Sequence, residues 1–379
     1  MLLIKTRRDT LLGPLQAVSG IVEKRHTLPI LSNVLLEKRG DLLTFLATDI
    51  EIQITTSSSS ADGDGDGDGA VTVGARKLLE ILRSLPDSAE VSLFLDDRRL
   101  LVKAGKSRFS LQTLPAEDFP SMALSEGEVR KFSVTQKAFR HLLAQTQYSM
   151  AVQDVRFYLN GLLLLVDGND LRAVATDGHR LAYSSMPLAD EALSGLPADG
   201  AARQELILPR KAVMELSRLL VDNEEPLSIE MLSNQIRFRF GQISLVSKLI
   251  DGRFPDYERV VPVSLRNIVT VNRSLLLQSM IRAAILTNEK FRGVRLMLSE
   301  GSLKIMAANA EQEEAQEEIE VDYHGEALDV GFNVAYLLDV LNNTSAETID
   351  WGFNDANSSA LLTVPGNERF KYVVMPMRI

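Results

Sequence analysis

The chain has 379 residues, of which 45% are hydrophobic and 24% charged, so it is long enough for two or three domains with cores of their own. It contains no cysteine, which excludes disulfide scaffolds, thiolate catalysis and cysteine-ligated zinc and fits a reducing cytoplasm. The longest apolar run, 162–166, is far shorter than the roughly 20 residues of a membrane span. The formal net charge of −10 argues, taken alone, against a nucleic-acid partner.

Three segments of the chain align with one another without a gap. They read LSNVLLEKRGDLLTFLATD (31–49), LNGLLLLVDGNDLRAVATD (159–177) and FRGVRLMLSEGSLKIMAAN (291–309). Each has two strand-like runs around a turn that contains glycine and a polar residue, which predicts a β-hairpin. An internal repeat on this scale indicates three related domains rather than a solenoid, whose repeats run to about 20–45 residues.

The flanking segments repeat in the same order. Helical patterns over roughly 7–22, 135–148 and 272–287 precede the hairpins, and further ones begin at Gly74, Leu208 and Phe332. Each repeat ends in strands that finish in RFSLQTLP, SLVSKLID and KYVVMPMRI. We therefore predict an α+β fold of three homologous domains, each with two helices packed on antiparallel sheets, over residues 1–127, 128–262 and 263–379.

One segment, SSSSADGDGDGDG (57–69), has no counterpart in the other repeats. Asp62, Asp64 and Asp66 match the start of an EF-hand loop, but Val73 stands where the loop needs its glutamate. The composition therefore predicts a flexible connection before Val71.

Asp177 and His179 form the only pattern that suggests acid–base catalysis. Asp49 and Asn309 take the place of Asp177 in the other repeats, so a turn residue that binds nearby backbone N–H groups is the simpler interpretation. His179 corresponds to Glu51 and Glu311, so the shared fold does not require it, and it is either a surface residue or part of a site in the second domain. The chain lacks complete phosphate-loop, GxSxG, HExxH and GxGxxG motifs. No catalytic residue, metal or cofactor is therefore expected.

The charges are segregated along the chain. The helical segments carry an excess of Lys and Arg although the whole chain is acidic. If these helices share one face, they form a basic surface suited to phosphates rather than base edges, although Lys and Arg are also good helix formers. A basic strand region at 98–109 and an acidic one from Glu311 to Glu320 favour head-to-tail association, which can close into a ring.

The triple repeat, with ATDGHRLA, SKLIDGRFPDY, AILTNEKFRGVRL, GFNVAYLLDVL and the terminal VVMPMRI, resembles the family of the bacterial DNA polymerase III β subunit. The resemblance covers essentially the whole chain. It implies a cytoplasmic, head-to-tail homodimer whose six domains close into a sliding clamp around duplex DNA. Such a ring has no active site and makes the polymerase processive because it tethers it to the template.

The resemblance also implies a groove, between the second and third domains, for a short peptide motif. The partners that carry such a motif are the replicative polymerase's catalytic subunit, the clamp-loader ATPase, other polymerases and repair proteins. The matching positions combine apolar side chains with a few polar anchors. They are Leu159, Thr176, Gly178, His179, Arg180, Leu181, Pro255, Arg259, Val260, Asn333, Tyr336, Ser359, Val373, Val374, Met375, Pro376, Met377 and Arg378.

Two further sets of positions follow from the same resemblance. Sequence-independent DNA contact is expected from Arg25, Arg76, Lys77, Arg83, Arg140, Gln153, Arg156, Tyr158, Arg210 and Lys211. Phe157 departs from the family, because it lacks the hydroxyl of a second tyrosine. The expected dimer interface is Lys77, Arg108, Phe109 and Leu111 against Ile285, Leu286, Glu311 and Glu314.

Two other functions stay open on the residues alone. A hydrolase or lyase would use Asp177 and His179. A protein-only scaffold would bind peptides in the same groove without touching DNA.

Overall fold

The structure is a computed structural model that describes residues 1–23, 28–59, 65, 67–125, 129–189 and 204–378. Within these residues the chain divides into two compact units. The first unit comprises residues 1–137 and 214–249, and the second unit comprises 138–189, 204–213 and 250–378. The predicted boundaries at 127 and 262 describe homologous repeats rather than compact units, and they stay a prediction.

The described residues contain six α-helices, which come in three pairs along the chain as the repeated helical patterns predict. They are α1 Arg8–Val18, α2 Ala75–Ser84, α3 Gln136–Ala144, α4 Arg210–Leu219, α5 Arg273–Ala284 and α6 Val334–Asn342. The first helix of a pair is shorter than predicted. The patterns continue past α1 and α3 into 3-10 turns, Ser19–Ile21 and Gln147–Ser149, because a helix end is commonly tightened in this way.

Twenty-four strands complete the secondary structure of the described residues. In chain order they are β1 Leu2–Arg7, β2 Asn33–Arg39, β3 Leu42–Thr48, β4 Ile52–Ser59, β5 Gly69–Gly74, β6 Glu90–Asp96, β7 Arg99–Ala104, β8 Ser107–Leu114, β9 Arg130–Thr135, β10 Gly161–Asp167, β11 Asp170–Thr176, β12 Arg180–Pro187, β13 Gln204–Pro209, β14 Pro226–Met231, β15 Gln235–Phe240, β16 Ile243–Lys248, β17 Asn267–Asn272, β18 Gly293–Ser299, β19 Ser302–Ala308, β20 Glu314–Glu320, β21 Leu328–Asn333, β22 Thr348–Phe353, β23 Ala360–Val364 and β24 Asn367–Val374.

The three predicted hairpins are confirmed as β2–β3, β10–β11 and β18–β19, all antiparallel. Their turns contain Gly40, Gly168 and Gly301, whose φ angles are 54°, 57° and 71°. These left-handed conformations explain the repeated glycine, because a Cβ is unfavourable there.

In the first unit, one twelve-stranded sheet has the order β1-β6-β7-β8-β5-β2-β3-β4-β16-β15-β14-β9. Within it, β4 pairs with β16, so the sheet of the first repeat continues into that of the second. The prediction of a flexible connection over the whole serine-rich segment is wrong at its start, because residues 57–59 belong to β4 and pair with β3. That ladder supplies partners for the backbone groups and overrides the weak strand propensity of serine. Asp62, Asp64 and Asp66 lie outside the described residues.

In the second unit, an eight-stranded sheet has the order β13-β10-β11-β12-β24-β23-β22-β17, and a four-stranded sheet has the order β20-β19-β18-β21. Pairing of β12 with β24 continues the second repeat into the third. One buried cluster surrounds Trp351 and Phe332, whose rings are 5.7 Å apart. A smaller cluster, which includes Leu181, Phe254 and Val373, lies at the candidate site described next.

Candidate functional site

The segment around Asp177 is a turn between β11 and β12. The Oδ1 atom of Asp177 accepts hydrogen bonds from the backbone N–H groups of His179 (2.9 Å) and Arg180 (3.1 Å). Asp49 accepts two equivalent bonds in the first repeat, at 3.0 and 2.7 Å, and Asn309 accepts two in the third, at 3.1 and 2.9 Å. The turn interpretation of Asp177 is confirmed, and its carboxylate is occupied by backbone N–H groups.

An Asp–His catalytic pair does not form at this turn. The second carboxylate oxygen of Asp177 accepts from Nε of Arg180 at 3.1 Å, and the His179 side chain is exposed. Catalysis needs a base that is oriented by a hydrogen-bonded partner, and the His179 side chain has none among the described residues. Among the described residues there is also no group of three or more His, Asp or Glu that could hold a metal ion.

The turn opens instead onto a cavity of about 190 Å³ within the second unit. Its lining is mostly apolar with a few polar groups, the composition expected of a site for a small ligand or peptide side chains. Predicted groove residues in the lining are Leu159, Thr176, Gly178, His179, Arg180, Leu181, Pro255, Val260, Val373 and Met375. Arg156, Tyr158 and Tyr257 complete it.

Arg180 belongs to this lining and is largely buried, with 9% of its side chain exposed. Its guanidinium pairs with Asp177 and Asp339, donates to the carbonyl of Tyr148, and lies 4.4 Å from the ring centre of Tyr336. Burial by itself lowers the pKa of Arg180, but the neighbouring Tyr372 and Asp339 outweigh it and the net pKa is raised. The charged group is thus held in place from several sides.

Arg156 and Tyr158, for which the family resemblance implied contact with DNA, lie in the cavity wall. The Arg156 guanidinium forms two hydrogen bonds with Asp154, at 3.0 and 2.9 Å, and one with the carbonyl of Asp177 at 3.2 Å. These bonds to Arg156 lower the pKa of Asp154 to about 2. The sequence contained no signal for this placement, because residues 156 and 177 meet only through the fold.

The remaining predicted groove residues do not line the cavity. Asn333 caps α6 by accepting from the N–H of Ala335 at 2.9 Å, and Arg259 pairs with Asp256 at 2.8 Å. Met377 forms a β-bridge to Gly331. The other residues outside the lining are Tyr336, Ser359, Val374, Pro376 and Arg378.

The predicted DNA-contacting residues fall into distinct groups. Lys77, Arg83 and Arg140 are exposed and make no hydrogen bond or ion pair with any described residue. Arg76 and Arg210 donate to backbone carbonyls, those of Val22 and Met150. Gln153 has a φ of 56°, Lys211 follows Arg210 on α4, and Arg25 lies outside the described residues.

β8 and β20 each have an open edge within the described residues. Residues 107–112 of β8 pair with β7 alone, because β5 reaches only Thr113 and Leu114. β20 pairs with β19 alone. The predicted interface residues Arg108, Phe109 and Leu111 are on β8. Glu314 is the first residue of β20, and Glu311 precedes that strand. Ile285 and Leu286 directly follow α5, and Ile285 is 75% exposed.

Repeated α+β units and sheets that continue from one repeat to the next define a three-domain DNA-clamp protein. Comparison with known families agrees for each repeat. Residues 2–123 match the N-terminal domain of the DNA polymerase III beta subunit, 133–256 the central domain and 258–378 the C-terminal domain. The chain belongs to the DNA polymerase III beta subunit family.

Individual relatives are similar over the whole chain. The beta sliding clamp of Pseudomonas putida is 48% identical over 98% of this chain and 99% of its own, and that of Escherichia coli is 46% identical over 98% of both. A crystal structure of the Pseudomonas aeruginosa sliding clamp bound to griselimycin has a TM-score of 0.92 at 46% identity and full coverage of both chains. No described helix of our chain is long and apolar enough to cross a membrane.

Proposed function

We propose that this protein is a cytoplasmic sliding clamp, a homodimeric ring that encircles duplex DNA and tethers the replicative polymerase and other proteins to it. The match of all three repeats to the domains of the DNA polymerase III beta subunit carries this proposal. The ring acts through topology and has no reaction of its own. It raises the effective concentration of a bound polymerase at its template.

The proposed dimer follows from the strand pairings that join one repeat to the next. Three repeats offer three such junctions, and only two form within the chain. In the first, second and third repeats, the strand that follows the hairpin is β4, β12 and β20, respectively. The last strand of each repeat is β8, β16 and β24, respectively. Two junctions form within the chain, β4–β16 and β12–β24, which leaves β20 and the edge of β8. An exposed edge is a template for another strand, so β20 of one protomer pairs with β8 of the next. Two such contacts close the ring.

Charge favours this pairing over self-association of like edges. β20 carries Glu314, Glu317, Glu318 and Glu320, whereas Arg108 lies on β8. Changing Ile285 and Leu286 together to aspartate is expected to give monomers in analytical ultracentrifugation. Ile268→Asp, at another exposed isoleucine (52%) on β17, is the matched control and stays dimeric. A double variant that still sediments as a dimer would count against this interface.

Contact with DNA is assigned to the exposed helix cations. Lys77, Arg83 and Arg140 are unpaired among the described residues, so each is available to a phosphate. Such contacts are independent of sequence and weaken with salt, which suits a ring that slides.

The experiment for the ring is retention on a nicked circular DNA, after loading by a clamp-loader ATPase, before and after a restriction enzyme linearises the circle. We expect retention in high salt on the circle and loss once the DNA has ends. A protein that never stays, or that stays equally on both forms, would instead be the peptide-binding scaffold.

The cavity is proposed as the groove for partner peptides of the polymerase, the clamp loader and repair proteins. Its apolar lining and the polar groups at residues 176–180 support this role. The relative from P. aeruginosa binds griselimycin, so griselimycin is a practical probe. We expect it to bind this protein and to compete with polymerase peptides.

A further inference from the structure

The segment Met150–Asn160 connects α3's 3-10 extension with β10, and it forms one wall of the cavity through Arg156 and Tyr158. Three of its apolar side chains are exposed to solvent. Val152, Val155 and Phe157 have exposed fractions of 68%, 95% and 58%. Apolar packing at these three positions therefore contributes little to holding the wall, and other contacts must fix its position.

Asn160 supplies one set of such contacts. Its side-chain amide accepts from the N–H of Asp154 at 2.9 Å and donates to the carbonyl of the same residue at 2.8 Å. Both backbone groups of Asp154 are thereby satisfied by a single side chain. Because Asp154 in turn binds the Arg156 guanidinium, Asn160 determines where that guanidinium can lie.

Arg210, at the first position of α4, supplies the other contact. Its backbone N–H donates to the carbonyl of Asn160 at 3.0 Å, and its Nη1 donates to the carbonyl of Met150 at 3.3 Å. The two bonds hold both ends of the segment to the start of one helix. A helix is a rigid support, so this is an effective way to position a loop.

The guanidinium bond has a counterpart in the first repeat. Arg76 is equivalent to Arg210, and Val22 is equivalent to Met150. Arg76 donates to the carbonyl of Val22 at 3.0 Å. In the third repeat Val334 replaces the arginine; its N–H still donates to the carbonyl of Arg292, at 2.8 Å, but no guanidinium is present. The guanidinium bond thus accompanies two repeats and is not a requirement of the fold.

We propose that Arg210 and Asn160 are positioning residues for the partner groove, which they serve by fixing the wall that carries Arg156 and Tyr158. This rests on the proposed function of the cavity. It also changes the role of Arg210, for which the family resemblance implied DNA contact. The side chain acts through its bond to the Met150 carbonyl, which links the start of α4 to the groove wall.

The test measures griselimycin affinity by isothermal titration calorimetry on the dimeric protein. Arg210→Lys keeps the charge but not the geometry of the guanidinium, and we expect a threefold to tenfold weaker affinity, as for loss of one charged hydrogen bond that orders the wall. Asn160→Ala removes two bonds and should weaken binding by at least tenfold. Arg295→Lys is the matched control: its bond to Asp329 lies outside the segment, and binding stays within twofold of the parent.

Hydrogen–deuterium exchange separates positioning from general destabilisation. In Arg210→Lys, the amides of Asp154, Arg156 and Leu159 should exchange at least threefold faster, while those of β10 and β11 stay unchanged. Affinity equal to that of the parent, or weaker affinity without faster exchange in the segment, would overturn the inference. Failure of the parent protein to bind griselimycin would instead remove the proposed function of the cavity.

Discussion

The turns at residues 48–52 and 176–180 have the same hydrogen bonds and different uses. In each, a threonine hydroxyl donates to the carbonyl four residues on, at 2.8 Å from Thr48 and 2.6 Å from Thr176. In each, the following aspartate accepts two backbone N–H groups. The Thr-Asp pair is therefore sufficient to build the turn in either repeat.

The next three residues make the difference. Ile50, Glu51 and Ile52 in the first turn correspond to Gly178, His179 and Arg180 in the second. Ile52 is buried in the first repeat, whereas Arg180 is a buried cation that organises polar partners. The comparison teaches that the same turn presents Ile52 to the core in the first repeat and lines the cavity with Gly178, His179 and Arg180 in the second.

The largest expected effect comes from giving the second turn the first turn's residue, Arg180→Ile. This change leaves the Tyr148 carbonyl and Asp177 without their guanidinium partner, whereas Asp339, whose side chain is 42% exposed, can bind water instead, so we expect a loss of about 3 kcal/mol. Because Trp351 is the single tryptophan and is fully buried, its fluorescence during urea unfolding reports on the second unit. A loss below about 1 kcal/mol would contradict the central role of Arg180. Ile52→Val provides the control for a mild change at the equivalent site.

Removing the shared acceptor should destabilise both turns, and at Asp177 it also removes the pair with Arg180. Asp177→Ala and Asp49→Ala each leave two N–H groups without their partner, which costs about 1–3 kcal/mol in urea unfolding followed by circular dichroism. Only Asp177→Ala should also weaken griselimycin binding, by roughly tenfold. Asp177→Asn retains the Oδ1 acceptor, as Asn309 does in the third repeat, but lacks the charged pair with Arg180, so it should lose less stability than Asp177→Ala. Equal binding losses at both turns would remove the functional distinction.

A smaller effect is expected at the positions with positive φ. Gly178 has a φ of 90°, and a Cβ there would lie 2.9 Å from a nitrogen of Arg156. Gly178→Ala should therefore cost about 1–2 kcal/mol and weaken griselimycin binding. Ile50, at a φ of 69° and 41% exposed, is a β-branched residue in a strained conformation. Ile50→Gly should leave stability unchanged or raise it by about 1 kcal/mol; a clear loss would show that the two turns differ in backbone strain.

The smallest effect concerns protonation beside the second turn. Leu28 stands where Arg156 does, so this position of the first repeat cannot supply a guanidinium. Because the pKa of Asp154 is lowered from 3.8 to about 2, its contribution is present above pH 3.8 and is lost as the pH falls through 2. NMR titration should give this low pKa in the parent and a higher one in Arg156→Gln, still below 3.8 because the backbone N–H of residue 156 continues to bind the carboxylate. Unchanged titration in the variant would exclude Arg156 as the cause.

Parts of the site were readable from the sequence because they are local. The repeat located three hairpins, six helices and the Asx-type turn at Asp177, since each depends on residues a few positions apart. The family resemblance then named ten of the thirteen residues that line the cavity. It assigned Arg156 and Tyr158 to DNA, and missed Tyr257, because their positions in the wall depend on how distant segments meet.

The sequence by itself determined the three repeats, their secondary structure and the family, because periodicity, turn chemistry and motif spacing are properties of neighbouring residues. Tertiary structure alone decided that Arg180 is buried with several polar partners and that Arg210 donates a hydrogen bond to the Met150 carbonyl. It also decided which strand edges stay open, since β20 and β8 are recognisable as unpaired only after β4–β16 and β12–β24 have formed. Those outcomes depend on contacts between residues far apart in the chain, whose desolvation and hydrogen bonding no local pattern records.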